Sequence, residues 1–354
     1  MSRAEGQERL ALVAGASGVV GRRLAQHLAA RGWPVLALSR KPPADVAAKH
    51  LAVDLLDATE ASARLAGATG ITHVFYAVRH DHAENAPEPE PANARMLRNL
   101  LDALEPRAPR LAHVNLVHGS KYYGHHVGPI ALPAVEDGPR GPAQVFYFAQ
   151  EDLVRRRAAG ARWSWSIARP HILCDEQTPH PRSIALVIAV LAAVQRELGE
   201  PLFFPGSEKS FQSRTQFTDP WLLAHALEWM ATDPRCGNHA FNVVNGDHPR
   251  WSELWPALAA HLGVTPGQAR AIWLADYVRD KAPLWDRVVA RHGLRPAPLS
   301  RVALWAYGDY VFAPEWDIIS SVDKARRFGF SERVDTREMF ARLFAAYRGQ
   351  RIIP

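Results

Sequence analysis

Short apolar runs alternate along this chain with stretches in which apolar residues recur every three or four positions, the pattern of strands alternating with helices. Leu10-Ala11-Leu12-Val13-Ala14 carries no charge, as a strand buried on both faces of a parallel sheet requires. Leu24, Leu28 and Ala29 mark one face of a helix that ends near Arg31-Gly32, and Trp33 to Leu38 supplies a second strand. Ala52 to Asp57 reads as a third strand ending in an acid, Thr72 to Val78 as a fourth and Leu111 to Val117 as a fifth. Trp163 to Pro170 is a sixth, and Phe241 to Gly246 a later strand that rejoins the sheet. Between them, Asn93, Met96, Leu97, Leu100, Leu101 and Leu104 fall at helical spacing, and a further helix opens at Val145 after the proline- and glycine-rich 138–142 stretch. Pro87-Glu88-Pro89-Glu90-Pro91 reads as a brief extended spacer in a loop.

This alternation predicts an α/β protein: a Rossmann-type doubly wound parallel sheet with a smaller, mostly helical substrate-binding region. Residues 1–178, completed by about 214–248 and 313–323, are assigned to the dinucleotide-binding part, and 179–213, 249–312 and 324–354 to the substrate side. Trp251, Trp255, Trp285, Trp305, Tyr307 and Phe312 either wall a pocket there or form plain core.

Composition narrows the partners. The 42 Lys and Arg against 36 Asp and Glu leave a formal charge of +6, which suits an anionic cofactor, but the basic residues form no run and argue against nucleic acid. Cys174 and Cys236 are too few for a disulfide framework and lack zinc-site spacing, so no metal and a reducing, cytoplasmic setting are expected. The first nine residues lack the apolar core of a signal peptide. The longest apolar run, Ile184 to Val194, has 11 residues against the roughly 20 that span a bilayer, so it reads as a buried helix and no membrane partner is expected. A homodimer is a possible assembly.

The chemistry begins where the first strand breaks into glycines. Gly15, Gly18 and Gly21 take the spacing GxxGxxG, with Ser17, Val19 and Val20 between them. The first glycine permits a sharp turn, the second lets backbone approach a pyrophosphate, and the third lets the helix pack on the strand. Free N–H groups at the helix start favour an anion. After the second strand, Ser39-Arg40-Lys41 stands where an NAD-selective site usually places an acid. Arg40 can fork onto a 2′-phosphate and Lys41 adds charge, which favours NADPH, although a solvated cationic turn looks the same. Asp54, followed by Leu55, either accepts from the adenine amino group or caps the next helix. Ala77 and Val78, at the end of the fourth strand, pass beside the nicotinamide half.

The fifth strand runs into a second chemical turn, His118-Gly119-Ser120-Lys121-Tyr122-Tyr123-Gly124. Downstream, Val145-Phe146-Tyr147-Phe148-Ala149-Gln150-Glu151 offers a tyrosine whose position four residues on holds Glu151, not the lysine of ordinary short-chain dehydrogenases. Lys121 is available one strand earlier. Tyr122 and Tyr123 are rival phenols, and His118, His125 and His126 rival acids; each of these residues also has a bland reading as core or solvated loop.

Several separated pieces together resemble the progesterone 5β-reductase and iridoid synthase-like branch of the extended short-chain dehydrogenases. They are GASGVVG at 15–21, SRKP at 39–42, NARMLRNLL at 93–101, HGSKYYG at 118–124, EDGPR at 136–140, FYFAQED at 146–152, NGDHPRWSELWPALAAHLGV at 245–264 and SSVDKARRFGF at 320–330. The resemblance implies NADPH-dependent hydride transfer to the β-carbon of an α,β-unsaturated carbonyl compound, on a small hydrophobic substrate. It assigns the functional pair to Tyr147 and Lys121 and places Pro170 and Ile172 beside the nicotinamide. Aldehyde or ketone reduction uses the same residues, and a non-catalytic NADPH-sensing protein is the alternative from another class. The chain departs from the pattern at Ala16-Ser17, at His171-Ile172-Leu173-Cys174 after Arg169-Pro170, and in the acidic, proline-rich stretch 79–91 that lines the pocket in relatives.

Overall fold

The structure, a computed structural model, describes residues 9–80, 89–176 and 182–354. In chain order, strands β1 (Ala11–Ala14), β2 (Val35–Ser39) and β3 (Lys49–Ala52) are joined by helix α1 (Val19–Ala30), and α2 (Ala58–Arg64) leads to β4 (His73–Tyr76). Helix α3 (Glu90–Leu104) precedes β5 (His113–Val117), and α4 (Phe146–Ala158) precedes β6 (Ser164–Arg169). Helix α5 (Ile184–Leu198), β7 (Leu202–Phe204), α6 (Glu208–Gln212), α7 (Pro220–Thr232) and β8 (His239–Asn242) follow. The chain closes with α8 (Trp251–Leu262), β9 (Pro266–Ala269), α9 (Leu274–Tyr277), α10 (Ala282–His292), α11 (Leu299–Val302), α12 (Trp305–Phe312), α13 (Asp323–Arg327) and α14 (Thr336–Gly349).

Seven strands form one sheet in the order β3-β2-β1-β4-β5-β6-β8, every pair parallel. That order reverses direction at β1, the switch point at which a doubly wound sheet opens a crevice. Both faces are covered, which is why Ala11 to Ala14 contain no polar side chain and are fully buried. On one face Leu97, Leu100, Leu101 and Leu104 of α3 pack with Ala61 of α2 and Val154 of α4; on the other Leu24 and Leu28 of α1 pack with Leu223 and Leu227 of α7. Each such leucine, fully buried, is worth about 1.5–3 kcal/mol. Ala325, Phe328 and Phe330 also join the second face, so the residues just past 323 stay with the sheet.

A separate apolar cluster gathers α5, β7, α8, α10, α12 and α14. Residues 184–195 of α5 are all buried, and no helix among the described residues is long and apolar enough to cross a membrane. Trp251, Trp255, Trp285, Trp305 and Phe312 are core of this cluster, while Tyr307 packs against it half-buried.

Three boundaries differ from the sequence pattern. The third strand ends at Ala52, because Asp54 Oδ1 accepts the Leu56 N–H at 2.9 Å and Asp57 accepts those of Thr59 and Glu60 at 2.8 and 3.0 Å, turning the chain. Asp57, not Asp54, therefore caps the next helix. The later strand is His239–Asn242, since the Asn245 N–H turns away to the Phe217 carbonyl at 2.8 Å. Of the expected proline spacer, Pro87 and Glu88 lie outside the described residues. Glu90 and Pro91 open α3 itself, where proline lacks only an N–H that the first turn leaves unpaired.

Candidate active site

The glycine turn is shaped by close backbone approach. Gly15 has φ +85°, and a Cβ there would stand 2.6 Å from the Ala77 carbonyl oxygen at the end of β4. A Cβ on Gly21 would collide with the Gly15 carbonyl and lie 2.7 Å from its carbon. Gly18 is the residue before α1, with neither a side-chain cap nor an acid in the first turn of the helix, so nothing acidic competes for its N–H groups. Ser17 and Gly18 are exposed and Val19 and Val20 half-buried. A cradle without side chains beside a helix start fits a pyrophosphate.

At the adenine side, Ser39 Oγ donates to the Lys41 carbonyl at 2.6 Å, and His50 Nε2 lies 3.0 Å from the Ser39 carbonyl. These bonds fold the turn that presents Arg40 and Lys41, both exposed. Asp54, two residues past the end of β3, uses Oδ1 on Leu56. Leu55 is 3% exposed with its side chain in the sheet core, which leaves it only backbone to offer a cofactor. Ala77 and Val78 are half-buried at the end of β4.

At the other half, Tyr147 projects from the first turn of α4 and is buried. Its ring stacks on His118, centroids 4.7 Å apart and planes at 17°, and meets Phe146 edge-on at 4.4 Å. Its hydroxyl reaches the backbone of Gly119, where a Cβ would stand 2.9 Å from the oxygen and 3.7 Å from the Pro170 carbonyl. The turn after β5 and the segment after β6 thus converge on this phenol. Lys121, half-buried, lies on the same turn as Gly119, with Nζ 5.3 Å from the ring centre of Tyr310 on α12. The sequence pattern marks Gly119 only as part of the second chemical turn, without a role of its own, and does not mark Tyr310.

Glu151 occupies the helix position of the usual lysine and is held by arginines. It is 1% exposed; Oε1 accepts from Arg155 Nε and Nη2 at 3.0 and 2.7 Å, and Oε2 lies 3.6 and 3.7 Å from Arg140 and Arg169. Arg169 in turn covers the Tyr122 ring at 3.4 Å and donates to Tyr123 Oη at 3.1 Å and to the Glu136 carbonyl at 3.0 Å. The Tyr123 hydroxyl donates to Asn242 Oδ1 at 2.6 Å, and burial pushes its pKa up to about 12. Both rival phenols are therefore committed to holding the turn in place.

His118 and His125 are buried, while His126 is half-buried. Burial, with Arg169 adding, holds His118 well below its ordinary pKa, and burial pushes His125 down to about 4. His125 Nδ1 donates to the Ser120 carbonyl at 2.8 Å. Neither residue fits a general acid near neutrality. Asp175, also missed in the sequence, is buried and accepts from Arg22 and from Arg23 Nε at 2.6 Å, while its carbonyl accepts from Tyr347 at 3.0 Å, tying α1 to α14. A cavity of about 900 Å³ opens between α10, α11 and α12, walled by Ala282, Val289, Leu299 and by Trp305 from the aromatic set read as pocket wall or core, but no candidate catalytic or cofactor residue lines it. Both cysteines are buried and free, and no metal-binding group of side chains occurs among the described residues.

Comparison with known proteins places this geometry. Residues 43–354 match the model of the PRISE-like Rossmann-fold domain. The chain is 31% identical to the 3-oxo-Delta(4,5)-steroid 5-beta-reductase of Arabidopsis thaliana, over 98% of this chain and 94% of the relative. It is likewise 31% identical to the (S)-8-oxocitronellyl enol synthase of Nepeta racemosa, with the same coverage of 98% and 94%, and 30% identical to a short chain dehydrogenase of Penicillium aethiopicum, over 98% and 99%. Among solved structures, a short-chain dehydrogenase/reductase superfamily protein of Agrobacterium tumefaciens with bound NAD superposes with a TM-score of 0.70 at 16% identity, over 97% of this chain and 98% of that one.

Proposed function

The chain belongs to the PRISE-like Rossmann-fold family and is an oxidoreductase of the short-chain dehydrogenase/reductase type, and from that premise we propose that it is an NADPH-dependent reductase of α,β-unsaturated carbonyl compounds. The observation that carries this reading is the buried Tyr147 with its hydroxyl beside Gly119, on a helix whose Glu151 replaces the usual lysine and is paired with arginines. The cofactor supplies the hydride. Gly15, Ser17, Gly18, Val19, Val20 and Gly21 hold its pyrophosphate, Arg40 and Lys41 receive the 2′-phosphate beside Ser39 and Asp54, and Ala77, Val78, Pro170 and Ile172 border the nicotinamide.

Addition at the β-carbon gathers negative charge on the substrate carbonyl oxygen. Tyr147 donates a hydrogen bond to that oxygen, a contact worth about 3 kcal/mol when the donor is fixed in advance. Lys121 adds positive charge on the same side, favouring the developing anion and the ionised phenol alike. Tyr307 and Tyr310 on α12, with the apolar cluster behind them, suit a small hydrophobic carbonyl compound.

The test is product analysis with a conjugated enal under NADPH and, separately, NADH. A saturated aldehyde, formed faster with NADPH, is the expected result. An allylic alcohol would assign hydride to the carbonyl carbon and make the protein an aldehyde or ketone reductase. Binding of NADPH without oxidation across enones, enals and aldehydes would make it a sensing protein.

A further inference from the structure

His171 interrupts the segment between two residues that the proposed cofactor site uses, Pro170 and Ile172, and its side chain is half satisfied. Nδ1 is hydrogen-bonded to Ser120 Oγ, and the ring meets His125 edge-on at 4.9 Å. Nε2 is buried and has no hydrogen-bond partner among the described residues. A buried polar atom without a hydrogen bond is costly, and this one stands just past β6, between two residues of the proposed nicotinamide site. The backbone is held to the same end. His171 N–H donates to Thr218 Oγ1 at 3.0 Å, and the Thr218 N–H to the Ile172 carbonyl at 3.2 Å. Ile172 itself has φ +31°, a strained conformation for a β-branched residue, of the kind that clusters at ligand clamps.

The topology says which ligand group lies there. With the pyrophosphate at the turn between β1 and α1, the adenine half crosses β2 and β3 and the nicotinamide half crosses β4, β5 and β6. His171 is two residues past the end of β6, and the preceding Pro170 carbonyl is 3.7 Å from the Cβ position of Gly119, where the Tyr147 hydroxyl sits. Resting on the cofactor reading above, we propose that His171 Nε2 recognises the carboxamide of the nicotinamide, and so sets the ring's orientation toward the substrate.

The tautomer logic selects the carboxamide over other oxygens nearby. Burial keeps the imidazole neutral, so it carries one N–H. If the Ser120 hydroxyl donates to Nδ1, Nε2–H must find an acceptor; if Nδ1–H donates to Ser120, Nε2 must find a donor. A carboxamide offers a carbonyl and an NH₂ on one rigid plane and satisfies either state. A phosphate or a substrate ketone satisfies only the first; a ribose hydroxyl satisfies either, and it is retained in the fragment used below, which separates it from the carboxamide.

The experiment titrates the full chain with NADPH and with ADP-ribose 2′-phosphate, which is the same molecule without its nicotinamide, following binding by calorimetry. His171→Asn keeps an atom for Ser120 and removes the far nitrogen; His171→Gln keeps a polar atom at the far position. His171→Asn is expected to weaken NADPH about tenfold, the scale of one buried hydrogen bond, and to leave the fragment's affinity unchanged. His171→Gln is expected to recover most of that loss. Undiminished NADPH binding by His171→Asn, or an equal loss for NADPH and the fragment, overturns the assignment. Both outcomes leave the enone reading standing, because that rests on the product formed by the unsubstituted protein.

Discussion

At the glycine turn Gly15, Gly18 and Gly21 are neighbours in sequence and they and the Ala77 carbonyl act through backbone, whereas at the phenol end Lys121, Tyr147 and Glu151 come from two separate segments and act through side chains. The difference shows in what surrounds each critical glycine. The wall against Gly21 is the carbonyl of Gly15, part of the main chain, while the wall against Gly119 is the hydroxyl at the tip of Tyr147. A backbone cradle binds any molecule with a pyrophosphate, so it fixes a cofactor class and is silent on the reaction. A side-chain site has to be assembled by tertiary structure, and its chemistry depends on which charges are brought in and which are kept out.

The sharpest way to break this picture is to restore the ordinary helix pair. Glu151→Lys would place a fourth cation among Arg140, Arg155 and Arg169 at a position 1% exposed. Leaving the buried Arg169 without this carboxylate and burying an unpaired ammonium beside it should cost about 3–5 kcal/mol, read as the loss of unfolding free energy in urea. A loss below about 1 kcal/mol would mean that the carboxylate does not hold the arginines together. Next in size is Tyr147→Phe. Removal of one fixed donor should lower kcat by about 10²–10³ with NADPH affinity unchanged; full turnover would remove Tyr147 from the chemistry.

The same contrast explains what could be read from the chain beforehand. The alternation of apolar runs and helical spacing gave seven parallel strands their approximate places, because a strand buried on both faces must be apolar throughout. The glycine spacing was legible for the same local reason. The third strand was displaced because Asp54 and Asp57 satisfy N–H groups two and three residues ahead, a contest between side chain and sheet that apolar patterning does not register. Tyr147 and Lys121 were singled out through resemblance. The commitment of Tyr122 and Tyr123 to Arg169 and Asn242 arises from contacts 46 and 119 residues apart in the chain and has no local signal. His171 stood out as a departure from the family pattern, but its unpaired Nε2 exists only once Ser120 and Thr218 are brought alongside.

The two glycines supply the smallest and most direct test of the comparison, since the same change of one methyl group meets a different wall at each. At Gly21 a methyl group overlaps the Gly15 carbonyl, which cannot move without shifting β1 or α1. Gly21→Ala should therefore cost about 1–3 kcal/mol of overpacking and weaken NADPH by about ten- to a hundredfold in a binding titration. At Gly119 the nearest atom to the methyl group is the Tyr147 hydroxyl oxygen at 2.9 Å, the far end of a side chain and not main chain, so a small tilt of the ring relieves the contact. Gly119→Ala should leave the melting temperature and NADPH affinity close to wild type, while kcat falls by about tenfold as the donor leaves its place over the substrate oxygen. Combined with Tyr147→Phe, which removes that oxygen, Gly119→Ala should cost little further turnover, because the methyl group then has nothing to displace. Additive losses in the double variant would show that Gly119 acts on catalysis by some route other than Tyr147.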